Sequence, residues 1–235
     1  MSPSLCHETT FEVLENAFSQ THQDVLIKHQ SLFISITESV REYMSRYDLS
    51  HDFNHVLRVL TLSRRILDCE QTQSGPYDPV VVFLSALVHD VGDHKYLKPG
   101  EDAATQMASM LVKAGASDQL ITQVQTIANN VSYTSEVKDP QRLQGILREN
   151  RELAIVQDAD RLDAIGATGI GRTFAFGGAK RPQYGLQSPR EHISEKLETL
   201  EGLMKTKTGK CMAAERTNRL KIFKVWWDEE MCFEA

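Results

Sequence analysis

His89 and Asp90 stand side by side at the end of the apolar run Val80 to Val88. A buried helix that ends in an imidazole and a carboxylate is costly unless both groups are hydrogen-bonded or bound to a cation, because an unpaired buried carboxylate costs several kcal/mol. A divalent ion resolves that cost. Imidazole and carboxylate together suit manganese, iron, zinc or nickel better than calcium, which prefers oxygen alone. Two ligands leave the set incomplete. Four of the eight histidines lie between positions 51 and 94, and His51 and His55 are one helical turn apart. Later in the chain Asp158, Asp160 and Asp163 enter the helical stretch Val156 to Ala164. Residue type and spacing leave the choice among these neighbours open.

The elements that must position these groups read as helices, since apolar residues recur at three- and four-residue steps and alternating patterns are almost absent. Val25, Leu32, Ile36, Val40 and Tyr43 mark one face of a second helix. A third starts near Ser50 as N-cap and buries Val56, Val59, Leu60, Ser63 and Leu67. Asp78-Pro79 opens the central helix, an N-cap followed by proline at the first helical position, and Gly92 breaks it after His89-Asp90-Val91. Further helices are expected over Glu101 to Lys113, Gln119 to Val131, Glu152 to Ile165 and Ile170 to Phe176, with Gly177-Gly178 as a stop. Ala179 to Gln187 reads as a loop over the site. Ser188-Pro189-Arg190-Glu191 reads as a capping box that opens helices over Arg190 to Lys205 and Lys210 to Glu230.

These residues resemble the HD-domain phosphohydrolase superfamily, which is known by a distant histidine, an adjacent His-Asp pair and a final aspartate. The matching segments are His51-Asp52-Phe53-Asn54-His55-Val56-Leu57-Arg58-Val59, Ala86-Leu87-Val88-His89-Asp90-Val91-Gly92-Asp93 and Asp158-Ala159-Asp160-Arg161-Leu162-Asp163-Ala164-Ile165-Gly166. The resemblance implies an all-α HD-domain helical bundle and a metal held by His55, His89, Asp90 and Asp160. It selects His55 over His51, and Asp160 over Asp158. It runs from about Ser50 to Lys210 and is strongest to a branch of small single-domain HD proteins of bacteria and fungi. That branch shares Ala164-Ile165-Gly166-Ala167-Thr168-Gly169-Ile170-Gly171-Arg172 with Phe174, and His192-x-x-x-Lys196-Leu197 followed by Thr208-Gly209-Lys210. It includes nucleoside triphosphate pyrophosphohydrolases. Two-metal branches add histidines between the positions of His94 and His192, where this chain has none and where Asn129 and Asn130 stand instead, so one ion is expected. Manganese is favoured, with magnesium, iron, nickel, cobalt and zinc as alternatives.

Four protein ligands on an octahedral ion leave two positions for water and a substrate oxygen, the open-site condition of catalytic metals. Related HD enzymes often carry an acid at the position of Asp93, which is expected to orient or deprotonate the attacking water; the alternative is a turn aspartate in solvent. His94 is expected as proton donor to the leaving group or as a surface histidine. Arg58 and Lys95 are the cations nearest in sequence for a phosphate in transfer, although Arg58 is as readily a structural partner of Asp158 or Asp163. Lys196, with Lys205, Lys207 and Lys210, could rim a phosphate site or face solvent.

A net charge of −6 gives no basic footprint for a nucleic-acid backbone, so the expected partner is a small phosphorylated molecule, a nucleotide first. No apolar run reaches the roughly 18 to 20 residues of a membrane span, and the start of the chain lacks the pattern of a signal peptide, so the expected compartment is cytoplasmic. Cys6, Cys69, Cys211 and Cys232 form no Cys-x-x-Cys pair and are expected as free thiols. The 235 residues are read as one HD domain, with the metal-site core over about 50–175 and C-terminal helices over 188–235 packed on it. Trp226 and Trp227 are read as core, with a homodimer face as the alternative. The expected activity is pyrophosphate release from a nucleoside triphosphate; a nucleoside 5′-monophosphatase and a non-catalytic, metal-holding regulatory module are the competing readings.

Overall fold

The computed structural model describes residues 9–47, 51–74, 76–92 and 102–232. Among them there is no strand. The helices in chain order are α1 (Thr10–Ala17), α2 (Gln23–Lys28), α3 (Gln30–Met44), α4 (Phe53–Ser74), α5 (Pro79–Val88), α6 (Ala103–Lys113), α7 (Asp118–Ala128), α8 (Tyr133–Lys138), α9 (Pro140–Glu149), α10 (Glu152–Asp163), α11 (Gly166–Lys180), α12 (Gln187–Glu195) and α13 (Lys207–Glu230). The all-α class follows from this inventory. None of these helices is long and apolar enough to cross a membrane.

The centre of the fold is α5. Its N-cap Asp78 accepts hydrogen bonds from the Val80 and Val81 N–H groups, and Pro79 takes the first helical position, where a missing N–H costs nothing. Every side chain from Val81 to Val88 is buried. Each apolar side chain buried in full contributes about 1.5–3 kcal/mol, so this helix holds its surroundings firmly together. Around it α3, α4, α7 and α10 pack directly, and α10 also lies along α4. The buried side of α4 is Val56, Val59, Leu60, Ser63 and Leu67, as its periodicity requires. The α4 start expected at Ser50 lies outside the described residues, and the first helical residue is Phe53.

Several expected boundaries differ. The helix carrying Val25 through Tyr43 divides at His29, which closes α2 and opens α3 at φ −114° and ψ 25°. Gly177-Gly178 does not stop α11, which continues to Lys180. The reason is packing, because a Cβ on Gly177 would stand 2.5 Å from Cγ of Pro189, so the glycine lets α12 approach α11 closely. The expected loop over Ala179 to Gln187 is correspondingly short and includes a 3₁₀ turn at Pro182–Tyr184. Ser188 is not an N-cap; α12 starts one residue earlier, at Gln187, and Pro189 falls in its first turn. That helix ends at Glu195, and a 3₁₀ segment, Leu197–Leu203, replaces the rest of the expected span to Lys205.

The α13 helix packs on α11, α10 and α4. Trp227 lies against Phe174 and Phe223, with ring centroids 5.0 and 5.7 Å away, but Trp226 is 60% exposed. Trp226 is therefore not core, because it stands one position round the helix from the face that Trp227 presents to α11. Cys69, Cys211 and Cys232 are exposed thiols in no disulfide; Cys6 lies outside the described residues.

The two ends of α10 and α13 are joined by a polar knot. Glu136 on α8 accepts from Lys205 Nζ at 2.7 Å and from Arg161, whose NH1 also donates to the Leu203 carbonyl. Burial pushes the Glu136 carboxyl up, but Lys205 and Arg161 outweigh it and hold the pKa below the ordinary 4.5. A depressed folded-state pKa contributes stability above the unfolded value and loses it as pH falls through the folded one. The melting temperature of wild type is therefore expected to exceed that of Glu136→Gln by a constant margin from pH 7 to 5.5, and the margin to shrink below pH 4.5. Thermal melts of both proteins across that range check it.

Candidate metal centre

Three helices bring the chemistry together. His55 sits in the first turn of α4, its N–H donating to Asp52 Oδ1 at 3.0 Å. His89 caps α5, and Asp90 follows it. Asp160 projects from α10, which lies along α4. His55 Nε2 is 3.2 Å from His89 Nε2, 3.1 Å from Asp90 Oδ2 and 3.6 Å from Asp160 Oδ1. His89 Nε2 is 3.5 Å from Asp90 Oδ2 and 3.8 Å from Asp160 Oδ1. Ligand atoms of His55, His89 and Asp160 all fall within 4.8 Å of one another, and both imidazoles are buried.

The hydrogen bonds behind the rings fix what the front atoms can do. His89 Nδ1 is 2.8 Å from the Ala86 carbonyl, which can only accept, so Nδ1 carries the proton. His55 Nδ1 is 2.8 Å from Asp163 Oδ2, which assigns its proton in the same way. Both Nε2 lone pairs then face one another and two carboxylates. Asp90 Oδ2 is buried without a hydrogen-bond donor. Four acceptors that converge with no donor among them repel unless a cation stands between them, and this is the donor set of a divalent metal with nitrogen and oxygen ligands. The residues therefore fit a metal ion. With only protein groups acting, burial and Arg172 lower the His55 pKa, but the nearby carboxylates of Asp163 and Asp90 outweigh them and leave it raised. Burial alone would raise Asp90; His89 and His55 outweigh it and hold its carboxyl well below the usual range.

The two aspartates that spacing could not separate have different tasks. Asp158 is fully buried on the other side of α10, where it accepts from the Lys205 and Thr206 N–H groups and from Thr206 Oγ1 at 2.7–2.8 Å. Asp160 belongs to the cluster. Asp163, 1% exposed, lies behind His55 and also accepts from Arg58 Nε and NH2 at 2.7 and 3.1 Å and from Arg172 NH1 at 2.9 Å. These donors hold its pKa far below the ordinary value in spite of burial, which pushes the other way.

The cluster opens on a cavity of about 850 Å³. His51 lines it, its ring 5.9 Å from that of His55. Cations gather along the wall made by α11 and α12, namely Arg172, Lys180, Arg181 and Lys196. Lys196 Nζ lies 4.8 Å from the centre of the Tyr133 ring. His192 lines the same wall; burial, with Lys196 and Arg181 beside it, lowers its pKa and keeps it neutral at pH 7. Of the lysines expected at a phosphate rim, Lys196 is in the wall, Lys205 is held by Glu136, and Lys207 and Lys210 are away from the cavity. Arg58 is placed on Asp163 and is not part of the cavity lining. Asp93, His94 and Lys95 lie outside the described residues. Asn129 lines the cavity, whereas Asn130 is turned into the protein, bound to the Thr126 carbonyl and to Arg142.

A family model for the HD domain matches residues 52–165, the stretch that holds every member of the cluster. The uncharacterized protein YpgQ of Bacillus subtilis is 34% identical over 191 residues, 78% of this chain and 86% of its own length. The chain belongs to the HD-domain superfamily. Among solved structures, this HD protein is similar to YpgQ in complex with ADP, with a TM-score of 0.67 and 30% identity over 84% of this chain and 98% of that one. It is also similar to an HD-superfamily hydrolase from Bacillus thuringiensis, with a TM-score of 0.63 and 26% identity over 88% of this chain and 100% of that one.

Arg172, Lys180, Arg181 and the role of Asp163 were not singled out from spacing. A signal existed for Asp163, since it follows Asp160 by three residues and so shares its side of α10. Arg172 had one too, as the last residue of the segment shared with the HD branch, whereas Lys180 and Arg181 had none, because they reach the cavity only when α11 folds over the cluster.

Proposed function

We propose that this HD protein is a metal-dependent phosphohydrolase acting on nucleotides or related small phosphate esters, and that it splits a nucleoside triphosphate and water into a nucleoside monophosphate and pyrophosphate. The observation that carries the reading is the meeting of two unprotonated imidazole nitrogens and two carboxylates at one end of a cavity whose wall is cationic. Such a wall suits an anionic substrate, and about 850 Å³ is in the usual range for a small-molecule site. The ADP held by YpgQ supports a nucleotide.

When bound by His55, His89, Asp90 and Asp160, one divalent ion, manganese first, supplies Lewis acidity toward a phosphoryl oxygen and lowers the pKa of water. The chain's own groups do the rest. Asp163 and the Ala86 carbonyl keep both rings in the tautomer that presents Nε2 to the cluster. Lys196, with Lys180 and Arg181, meets the phosphate chain from the wall. Asp93, which follows the cavity-lining Gly92 in sequence, orients or deprotonates the water, and His94 gives a proton to the leaving oxygen.

Incubating the protein and Mn²⁺ with a panel of nucleoside tri-, di- and monophosphates, and separating pyrophosphate from inorganic phosphate, tests this. Pyrophosphate and monophosphate in equal amounts are the expected products. Inorganic phosphate released from monophosphates indicates a nucleotidase instead, and no turnover of any ester indicates a regulatory module.

A further inference from the structure

Asp163 is one buried carboxylate facing two guanidiniums and an imidazole. Arg58 alone would neutralise it, since it spans the carboxylate with Nε on Oδ1 and NH2 on Oδ2. Arg172 comes from another helix to the same oxygen, Oδ2, that accepts from His55 Nδ1. Its guanidinium is thereby one oxygen atom away from a ligand-bearing imidazole. Unlike Arg58 it also forms part of the cavity lining, and it is 13% exposed.

The chain geometry that delivers it is specific. After α10 the backbone reverses through Ala164 and Ile165 into Gly166, at φ +76°, a left-handed conformation that favours glycine. Arg216 of α13 then donates to the Leu162 carbonyl and lies over Gly166, fixing the reversal. Two turns later along α11 comes Arg172.

An arginine that lines the cavity beside the metal-binding cluster is placed where an anionic phosphoryl group requires a cation as its charge spreads onto its oxygens.

We propose that Arg172 is a catalytic residue that contacts the phosphoryl oxygens of the bound substrate, and that Asp163 is the positioning residue that sets both Arg172 and His55. This rests on the proposed hydrolysis for its effect on rate, but its effect on anion binding stands without it.

The test compares wild type with Arg172→Lys, Arg172→Gln and Asp163→Asn. ADP binding is read by calorimetry in Mg²⁺, metal binding by the rise in melting temperature on adding Mn²⁺, and turnover on a nucleoside triphosphate. Arg172→Gln is expected to weaken ADP by about tenfold or more and to slow turnover by about 10²- to 10³-fold, the usual cost of removing one preorganised donor, with the Mn²⁺ response intact. Arg172→Lys keeps the ion pair to Asp163, so it folds whether or not the glutamine variant does. It is expected to recover part of the ADP affinity but less of the rate, because an ammonium lacks the planar fork. Asp163→Asn is expected to lose both ADP affinity and, by about 10- to 100-fold, metal affinity. Wild-type ADP affinity and rate in both Arg172 variants would overturn the proposal, and so would a loss of ADP affinity that only follows a lost Mn²⁺ response. A wild type that binds ADP through Arg172 yet hydrolyses no ester sinks the proposed function and leaves the Arg172 site standing. Hydrolysis by wild type that both Arg172 variants match does the reverse.

Discussion

Asp160→Ala is expected to slow the proposed phosphate-ester hydrolysis by about 10³-fold or more, because an ion held there would supply several kcal/mol of charge stabilisation and each 1.4 kcal/mol is tenfold in rate. The same change is expected to leave the melting temperature in EDTA unchanged or slightly higher. Asp160 is 26% exposed, it is within 4 Å of both Nε2 atoms, and removing it takes one carboxylate from a group that already holds Asp90. The rise in melting temperature caused by Mn²⁺ should disappear with it. A variant that keeps its rate within tenfold and still responds to Mn²⁺ would exclude Asp160 as a ligand.

Asp158→Ala should show the opposite pattern. Its carboxylate accepts from two backbone N–H groups and one hydroxyl at the start of α13, all buried or nearly so. Alanine leaves those donors without a partner, at about 1–3 kcal/mol for each buried group. A total near 3 kcal/mol lowers the melting temperature of a chain this size by on the order of 10 °C. Activity per folded molecule should stay close to wild type, because Asp158 does not line the cavity. Asp158→Asn should be milder, since the amide keeps one acceptor oxygen. Burial raises the Asp158 pKa in spite of its three donors, so a neutral acceptor is tolerated there. Melting curves and specific activity, measured on the same preparations, separate the two aspartates.

The contrast between Asp158 and Asp160 shows how far the sequence could be read. Two residues apart on a helix, they point to nearly opposite sides, and periodicity does not say which side faces His55 and His89. The resemblance to HD proteins supplied that choice, and the fold places Asp160 Oδ1 3.6 and 3.8 Å from the His55 and His89 Nε2 atoms. The central helix was legible because Asp78-Pro79, an apolar run interrupted only by Ser85, and Gly92 each act locally. The continuation of α11 through Gly177-Gly178 was not, because those glycines answer to Pro189 on another helix and not to their own neighbours. The helices α8 and α9 went unread; α8, at six residues, is too brief to show a period, whereas α9 carries at Asp139-Pro140 the same local start signal that marks α5. Arg58 was left between substrate and structure by its position alone. Its two bonds to Asp163 belong to a contact more than a hundred residues away in sequence, which no local pattern encodes.

The central claim is that His55, His89, Asp90 and Asp160 form a single divalent metal site. Calorimetric titration of Mn²⁺ into chelator-treated wild type and Asp160→Ala tests it most directly. One equivalent bound per wild-type chain, and binding weakened at least a hundredfold in the variant, is the result expected; equal binding by both proteins, or none by the wild type, would contradict it.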